Sequence, residues 1–185
     1  VTAAARGREV RGRLLTAAAE LVAERGWTAV STRILAERAG VTPSVVHYHF
    51  PSMPALLNEA VIEAIRQFAN GFEACLDIAA TPTEALDVIL ASLADQTAAD
   101  PMPRLFIEAY LAAARDEELH ARLVEVTDEL RRRVSAWLGG HGVSAPDDTA
   151  AVLIAALDGL VLQRGIGARV DAGPVLRRLV EEEKA

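Results

Sequence analysis

Twenty residues, 31–50, hold two helix starts with a stop between them, in the order that a helix-turn-helix needs. Ser31 is a natural N-cap for a helix that ends at Gly40. Thr42 and Pro43 mark the next start, a capping residue and then a proline at the first helical position, for a helix over about 43–49. Such a unit serves to lay one helix in the major groove of DNA, with one face packing on its neighbours and the other presented to bases and phosphates. Val46 and Phe50, one helical turn apart, anchor the packing face together with Val41. Thr42, Pro43, Ser44, Val45, His47 and Tyr48 are left for the groove. Thr42 and the amides at the helix start suit a phosphate, His47 and Tyr48 can stack or donate, and Val45 can meet a thymine methyl. Arg33, near the start of the preceding helix, has the reach for a guanine edge or a phosphate.

The rest of the chain is punctuated in the same way. Leu14, Leu15, Ala18, Leu21 and Val22 recur at helical spacing and predict a helix over roughly 8–25, stopped by Gly26, with Trp27 folding back onto its apolar face. Ser52 and Pro54 open a long helix, about 53–79, that links a head to a body. Thr81-Pro82-Thr83-Glu84 is a capping box, and Asp100-Pro101 opens a helix carrying Leu105, Phe106, Tyr110 and Leu111. Further helices are expected from about Glu117 past Trp137 to the breakers Gly139, Gly140 and Gly142, over about 146–167, and over about 172–184 behind Asp171. The fold class expected is all-α with about nine helices, divided into a DNA-binding head at 1–52 and a ligand-binding and dimerisation body at 53–185.

Charge is distributed to suit that division. Residues 1–50 carry seven arginines against four glutamates, a net of +3, so the remainder carries −10 of the total of −7. A basic head on an acidic body is suited to a polyanion at one end only. The single cysteine, Cys75, excludes an intramolecular disulfide and fits a reducing compartment. No apolar core follows the arginine-rich start, as a secretory leader requires, and no apolar run reaches bilayer length, so a cytoplasmic chain with no membrane partner is expected.

Several pieces together resemble the tetracycline-repressor (TetR) family of bacterial regulators. They are Gly26-Trp27, Ser31-Thr32, Leu35-Ala36, Ala39-Gly40-Val41-Thr42 and Val46-His47-Tyr48-His49-Phe50, followed by Ala55-Leu56-Leu57. These cover the first third of the chain; the body matches in layout and in looser pieces, Glu108, Ala112-Ala113-Ala114-Arg115-Asp116 and Leu157-Asp158-Gly159-Leu160. The resemblance implies a dimeric repressor, with three helices for DNA, helices four to seven around a ligand pocket and the last two at the dimer interface. Its DNA-facing set falls here on Thr32, Arg33, Thr42, Pro43, Ser44, Val45, His47, Tyr48 and His49. Three positions depart from the family pattern. His47 replaces a usual tyrosine and brings a titratable ring, Met53 stands where many members carry lysine, and Ile34 occupies a usually polar position. Operator specificity is therefore not transferable. An activator, or a regulator that needs no ligand, fits the same residues; a helical adaptor that binds no DNA is the remoter alternative.

In the body, Phe68, Phe72 and Cys75 share one side of the long helix, and Phe106 and Tyr110 share a side of the helix after Pro101. Phe68, Phe72, Phe106 and Tyr110 are the expected lining of a pocket for a small apolar effector, with Trp137 and Gln163 as weaker candidates. Val152, Leu153, Ile154, Leu157, Leu160, Val161 and Leu162 make the helix at 146–167 nearly all apolar, and Val175, Leu176, Leu179 and Val180 stripe the last helix. Packing this pair against a second copy completes its burial as a four-helix bundle, a homodimer. Catalytic chemistry is not expected. His47 and His49 are two apart on a helix and diverge, His120 and His141 stand alone, and Cys75 lies in an apolar pattern. Asp158 is the one unusual charge in its helix. No metal site and no cofactor is expected.

Overall fold

The computed structural model describes residues 2–95 and 100–181. Among these the chain is all-α, with nine α-helices and no strand: α1 (Ala3–Arg25), α2 (Thr32–Ala39), α3 (Pro43–His49), α4 (Met53–Ile78), α5 (Pro82–Asp95), α6 (Pro101–Ala113), α7 (Glu117–Gly140), α8 (Pro146–Gly165) and α9 (Gly173–Val180). A short 3-10 turn, Trp27–Ala29, joins α1 to α2. The first helix begins before residue 8, because the Thr2 hydroxyl accepts from the Ala5 amide at 3.3 Å and caps it early. The last is shorter than expected: Glu181 is already extended, and 182–184 lie outside the described residues.

Local chemistry sets most of the ends. Gly26, at φ +83°, closes α1 by donating to the Val22 carbonyl. Gly40 takes the left-handed conformation, and the Val41 amide after it reaches back to Ala36 O at 2.9 Å. At α5 the box closes one residue early. Thr81 Oγ1 accepts from Glu84 N at 3.2 Å, whereas the Glu84 carboxylate accepts from Ala80 N at 2.9 Å. Asp171 Oδ1 accepts from Gly173 N at 3.1 Å ahead of α9.

The chain forms two compact units, Val1–Arg66 with Arg104–Leu123, and Gln67–Pro103 with Val124–Ala185. In the first, α1 packs on α2 and α2 on α3, around Leu14, Leu21, Leu35, Val46, Leu56 and Ile62, all essentially inaccessible. Burial of each such side chain contributes about 1.5–3 kcal/mol, which fixes the three helices as one piece. In the second, α9 packs on α5 and α8. Leu153, Ile154, Leu157, Leu160 and Val161 of α8 are buried by this chain alone, as are Leu176 and Val180 of α9. Apolar residues at 152, 175 and 179 stay exposed, by 53%, 53% and 38%, so the apolar face that this pair leaves uncovered is narrower than the composition of α8 implied.

Candidate nucleic-acid interface

Each reader residue is placed by its helix's packing face. Val46 and Phe50 are buried and turn one side of α3 inward. That leaves Thr42, Pro43, Ser44, His47 and Tyr48 exposed and Val45 and His49 half-buried. Tyr48 is 84% exposed, an unusual position for a large aromatic group, and its ring meets that of His49 edge-on at 5.1 Å. On α2, Arg33 is exposed and Thr32 and Ile34 are half-buried, while Leu35, Ala36 and Ala39 face the core. Ser31 Oγ accepts from Ile34 N at 3.4 Å, as a cap should. Thr42 starts α3 differently. Its carbonyl, not its hydroxyl, takes the Val45 amide at 3.0 Å, and its hydroxyl pairs with that of Ser44 at 2.9 Å. Two exposed hydroxyls therefore lie side by side at the start of α3.

Three interactions that no local pattern announces hold this head in shape. The Arg11 guanidinium lies 4.7 Å from the centre of the Phe50 ring and grips Glu59 of α4 with both terminal nitrogens. Arg38 of α2 bonds Glu20 and Glu24 of α1, at 3.1 Å and 2.7 Å; its hydrogen bond holds the Glu24 carboxyl below its ordinary pKa. The third is long-range: the Glu108 carboxylate of α6 accepts from the Trp27 amide at 2.8 Å.

In the second unit, a cavity of about 300 Å³ lies between α4 and α5. It is lined by Phe68, Phe72 and Cys75 of α4 together with Gln67, Gly71, Ile89, Ser92 and Leu93. The two rings tilt at 59° with centres 5.0 Å apart, and the Cys75 thiol donates to Gly71 O. Phe106 and Tyr110 do not border it. They pair with each other on the part of α6 that belongs to the first unit, Phe106 buried and Tyr110 45% exposed. Trp137 stacks on His141 at 4.1 Å, and Gln163 is exposed. Asp158 is half-buried on α8. No helix among the described residues is long and apolar enough to cross a membrane, and no group of three metal-ligating side chains comes together there.

Two family models match the chain. Residues 14–60 match the bacterial regulatory proteins of the tetR family, and residues 80–182 match the tetracyclin repressor-like C-terminal domain. The HTH-type transcriptional regulator BetI of Rhizobium meliloti is 27% identical over 161 residues, 84% of this chain and 78% of that protein. An HTH-type transcriptional regulator of Mycobacterium tuberculosis is 28% identical over 169 residues, 87% of this chain and 85% of that one. Among solved structures, SCO7518 of Streptomyces coelicolor, described as a transcriptional regulator, superposes with a TM-score of 0.72 at 31% identity, covering 92% of this chain and 96% of its own. A Saccharomonospora viridis protein solved with choline shares the fold at a TM-score of 0.72 and 23% identity, covering 94% of each chain. A first unit that exposes a helix-turn-helix, and models that match both its head and the body behind it, lead to one conclusion: this chain belongs to the tetR family of bacterial regulatory proteins, transcriptional regulators that bind DNA through that motif.

Proposed function

We propose that this regulator binds a two-fold-symmetric operator as a homodimer, represses transcription there, and lets go when a small apolar molecule occupies the α4–α5 cavity. The observation that carries the reading is the single exposed face made by Thr42, Pro43, Ser44, His47 and Tyr48, with Val45 and His49 at its margin and Thr32 and Arg33 on the helix before it. An exposed aromatic and two paired hydroxyls at a helix start are of little use to a soluble fold and suit phosphates and base edges. Residues 1–52 are thus the reader and 53–185 the part that senses and dimerises. Exposed Val152, Val175 and Leu179 support a partner copy on α8 and α9. Such pairing gives two readers, which need half-sites about 34–36 Å apart, or a multiple of that, on one side of the duplex.

The cavity supports an apolar or weakly polar effector. Its lining is two phenylalanines, Ile89, Leu93 and Cys75, with Gln67 and Ser92 as its polar side chains. A quaternary ammonium such as the choline of the Saccharomonospora viridis protein would find the two aromatic faces but no carboxylate in this lining. The effector acts only through its preference for the state that reads DNA poorly. Selection of genomic fragments on the purified protein tests the proposal, followed by gel shift and light scattering of the complex. A palindromic fragment bound by one dimer is the expected result, and no enriched fragment would end the reading.

A further inference from the structure

The turn between α1 and α2 sets where the reader begins, and it is tied to a helix far along the chain. Gly26 has no side chain to cap the 3-10 turn, so the first amide of that turn, Trp27 N–H, needs an acceptor from elsewhere. Glu108 supplies it from 81 residues away, Oε2 to N at 2.8 Å. The carboxylate lies against the turn: a Cβ on Gly26 would stand 3.5 Å from Glu108 Oε1, in ordinary van der Waals contact, and it is the φ of +83° that calls for glycine there. Glu108 is half-buried, and among the described residues this amide is its one hydrogen-bond partner, with no cation within ion-pair distance. A carboxylate kept partly out of water without a cation is costly, and an apolar side chain would serve packing better. Its presence is explained by the charge-assisted bond to the turn. From Trp27 the chain passes through Val30, which is buried, to the Ser31 cap, and Arg33 comes six residues after Trp27. The position of the Glu108 carboxylate is thereby built into the direction in which α2 sets out, and α2 packs on α3.

We propose that Glu108 is a positioning residue for operator binding: it touches no DNA, but holds the turn that aims α2 and α3, and so makes the orientation of α6 part of the reader's geometry. The inference rests on the operator-binding function proposed for the exposed face of α3. Without the bond, the head samples orientations that do not fit the groove, and apparent affinity falls by the fraction that fits. In a dimer that fraction enters twice, so a head that fits one third of the time weakens binding about tenfold.

The test compares wild type, Glu108→Ala and Glu108→Gln on a fragment selected by the wild type, with dissociation constants measured over a salt series. Glu108→Gln keeps an oxygen that can accept the Trp27 amide. The expected result is about tenfold weaker binding for Glu108→Ala, with recovery to within about threefold for Glu108→Gln. The slope of log K against log salt should stay unchanged, since no phosphate contact is lost. Hydrogen exchange of the Trp27 amide should speed up at least about tenfold in Glu108→Ala and not in Glu108→Gln. Where Glu108→Ala does not fold, Glu108→Asp, which retracts the oxygens by one methylene, takes its place with the same expectations. Equal affinity of wild type and the Ala or Asp variant overturns the inference while leaving operator binding intact. So does a loss that tracks only the unfolded fraction, or one that changes the salt slope. A wild type that selects no fragment overturns both readings.

Discussion

Asn58 on α4 is 3% exposed, and its side-chain amide depends on one neighbour. Nδ2 donates to Asp116 Oδ2 at 3.0 Å, whereas the buried Oδ1 finds no donor among the described residues. The other Asp116 oxygen caps α7 by accepting from Leu119 N at 3.0 Å. Asp116→Ala removes both bonds. Loss of the cap costs about 1 kcal/mol. Leaving the buried Asn58 amide with no acceptor adds about 1–3 kcal/mol, for a total of about 2–4 kcal/mol. That is a large share of the 5–15 kcal/mol typical of a folded domain. Asn58→Leu, which removes the partner's need, should reduce the further cost of Asp116→Ala to little more than the cap. The double-mutant cycle then yields a coupling of about 1–3 kcal/mol. Urea titration at pH 7 measures this, with Trp27 fluorescence in a Trp137→Phe background reporting on the first unit only. A coupling within about 0.3 kcal/mol of zero would show that the pair is not an energetic tie between α4 and α7, and the reasoning from burial would fail.

The same carboxyl predicts acid behaviour. The Asn58 amide first, and the Leu119 and Glu118 amides after it, hold the Asp116 pKa below its ordinary value. Its contribution to stability is therefore complete above the unfolded value of about 3.9 and is lost as pH falls through the lower folded value; thermal unfolding should show Asp116→Ala and wild type converging below about pH 4. Arg33→Ala should weaken operator binding by about 1–3 kcal/mol if the guanidinium reads a base. It should instead lower the salt slope by about one if it holds a phosphate, with no change in thermal midpoint in either case; an unchanged affinity removes Arg33 from the interface. Leu179→Glu, on the exposed face of α9, should halve the mass seen by light scattering and spare the helical circular dichroism signal, whereas an unchanged mass places the partner copy elsewhere.

The sequence was legible wherever the cause acts within about four residues. Ser31, Gly40 and Pro43 each bear on their own helix end, and α2 and α3 lie where those residues set them. The split of α3 into a buried face at Val46 and an exposed one at Tyr48 comes from helical period alone. The long-range ties of the first unit were not legible. Glu108 and Trp27 are 81 apart, Asn58 and Asp116 are 58 apart, and Arg38 reaches back 14 and 18 residues. No periodicity marks a pair that only tertiary packing brings together. In the second unit, one wall of the cavity was visible as Phe68, Phe72 and Cys75, but Ile89, Ser92 and Leu93 opposite look like any amphipathic helix. Phe106 and Tyr110 share a helical face as read, yet spacing cannot say which unit that face joins, and here it is the first.

Charge shows the same limit and sharpens the functional reading. Counted along the sequence, residues 1–50 are basic by three charges. In the fold two of the seven arginines are spent within the first unit: Arg11 lies over Phe50 and on Glu59 of α4, and Arg38 lies between Glu20 and Glu24. Glu24 beside Arg38 is held ionised, and Arg38 is held protonated in turn. These groups fasten α1 to α2 and to α4, and neither arginine is at liberty to follow a phosphate without breaking a strut. Arg33, exposed on α2 and without an ion pair among the described residues, keeps its whole charge for a ligand. Arg6, Arg8, Arg13 and Arg25 likewise have no ion pair among the described residues, so five of the seven arginines, with Arg33 beside the exposed His47 and Tyr48 segment, keep their charge for a polyanion. The struts around α1 and the proposed role of the Glu108 bond to the turn both concern where that charge is aimed, since they act on the helix that carries Arg33 and on the turn before it.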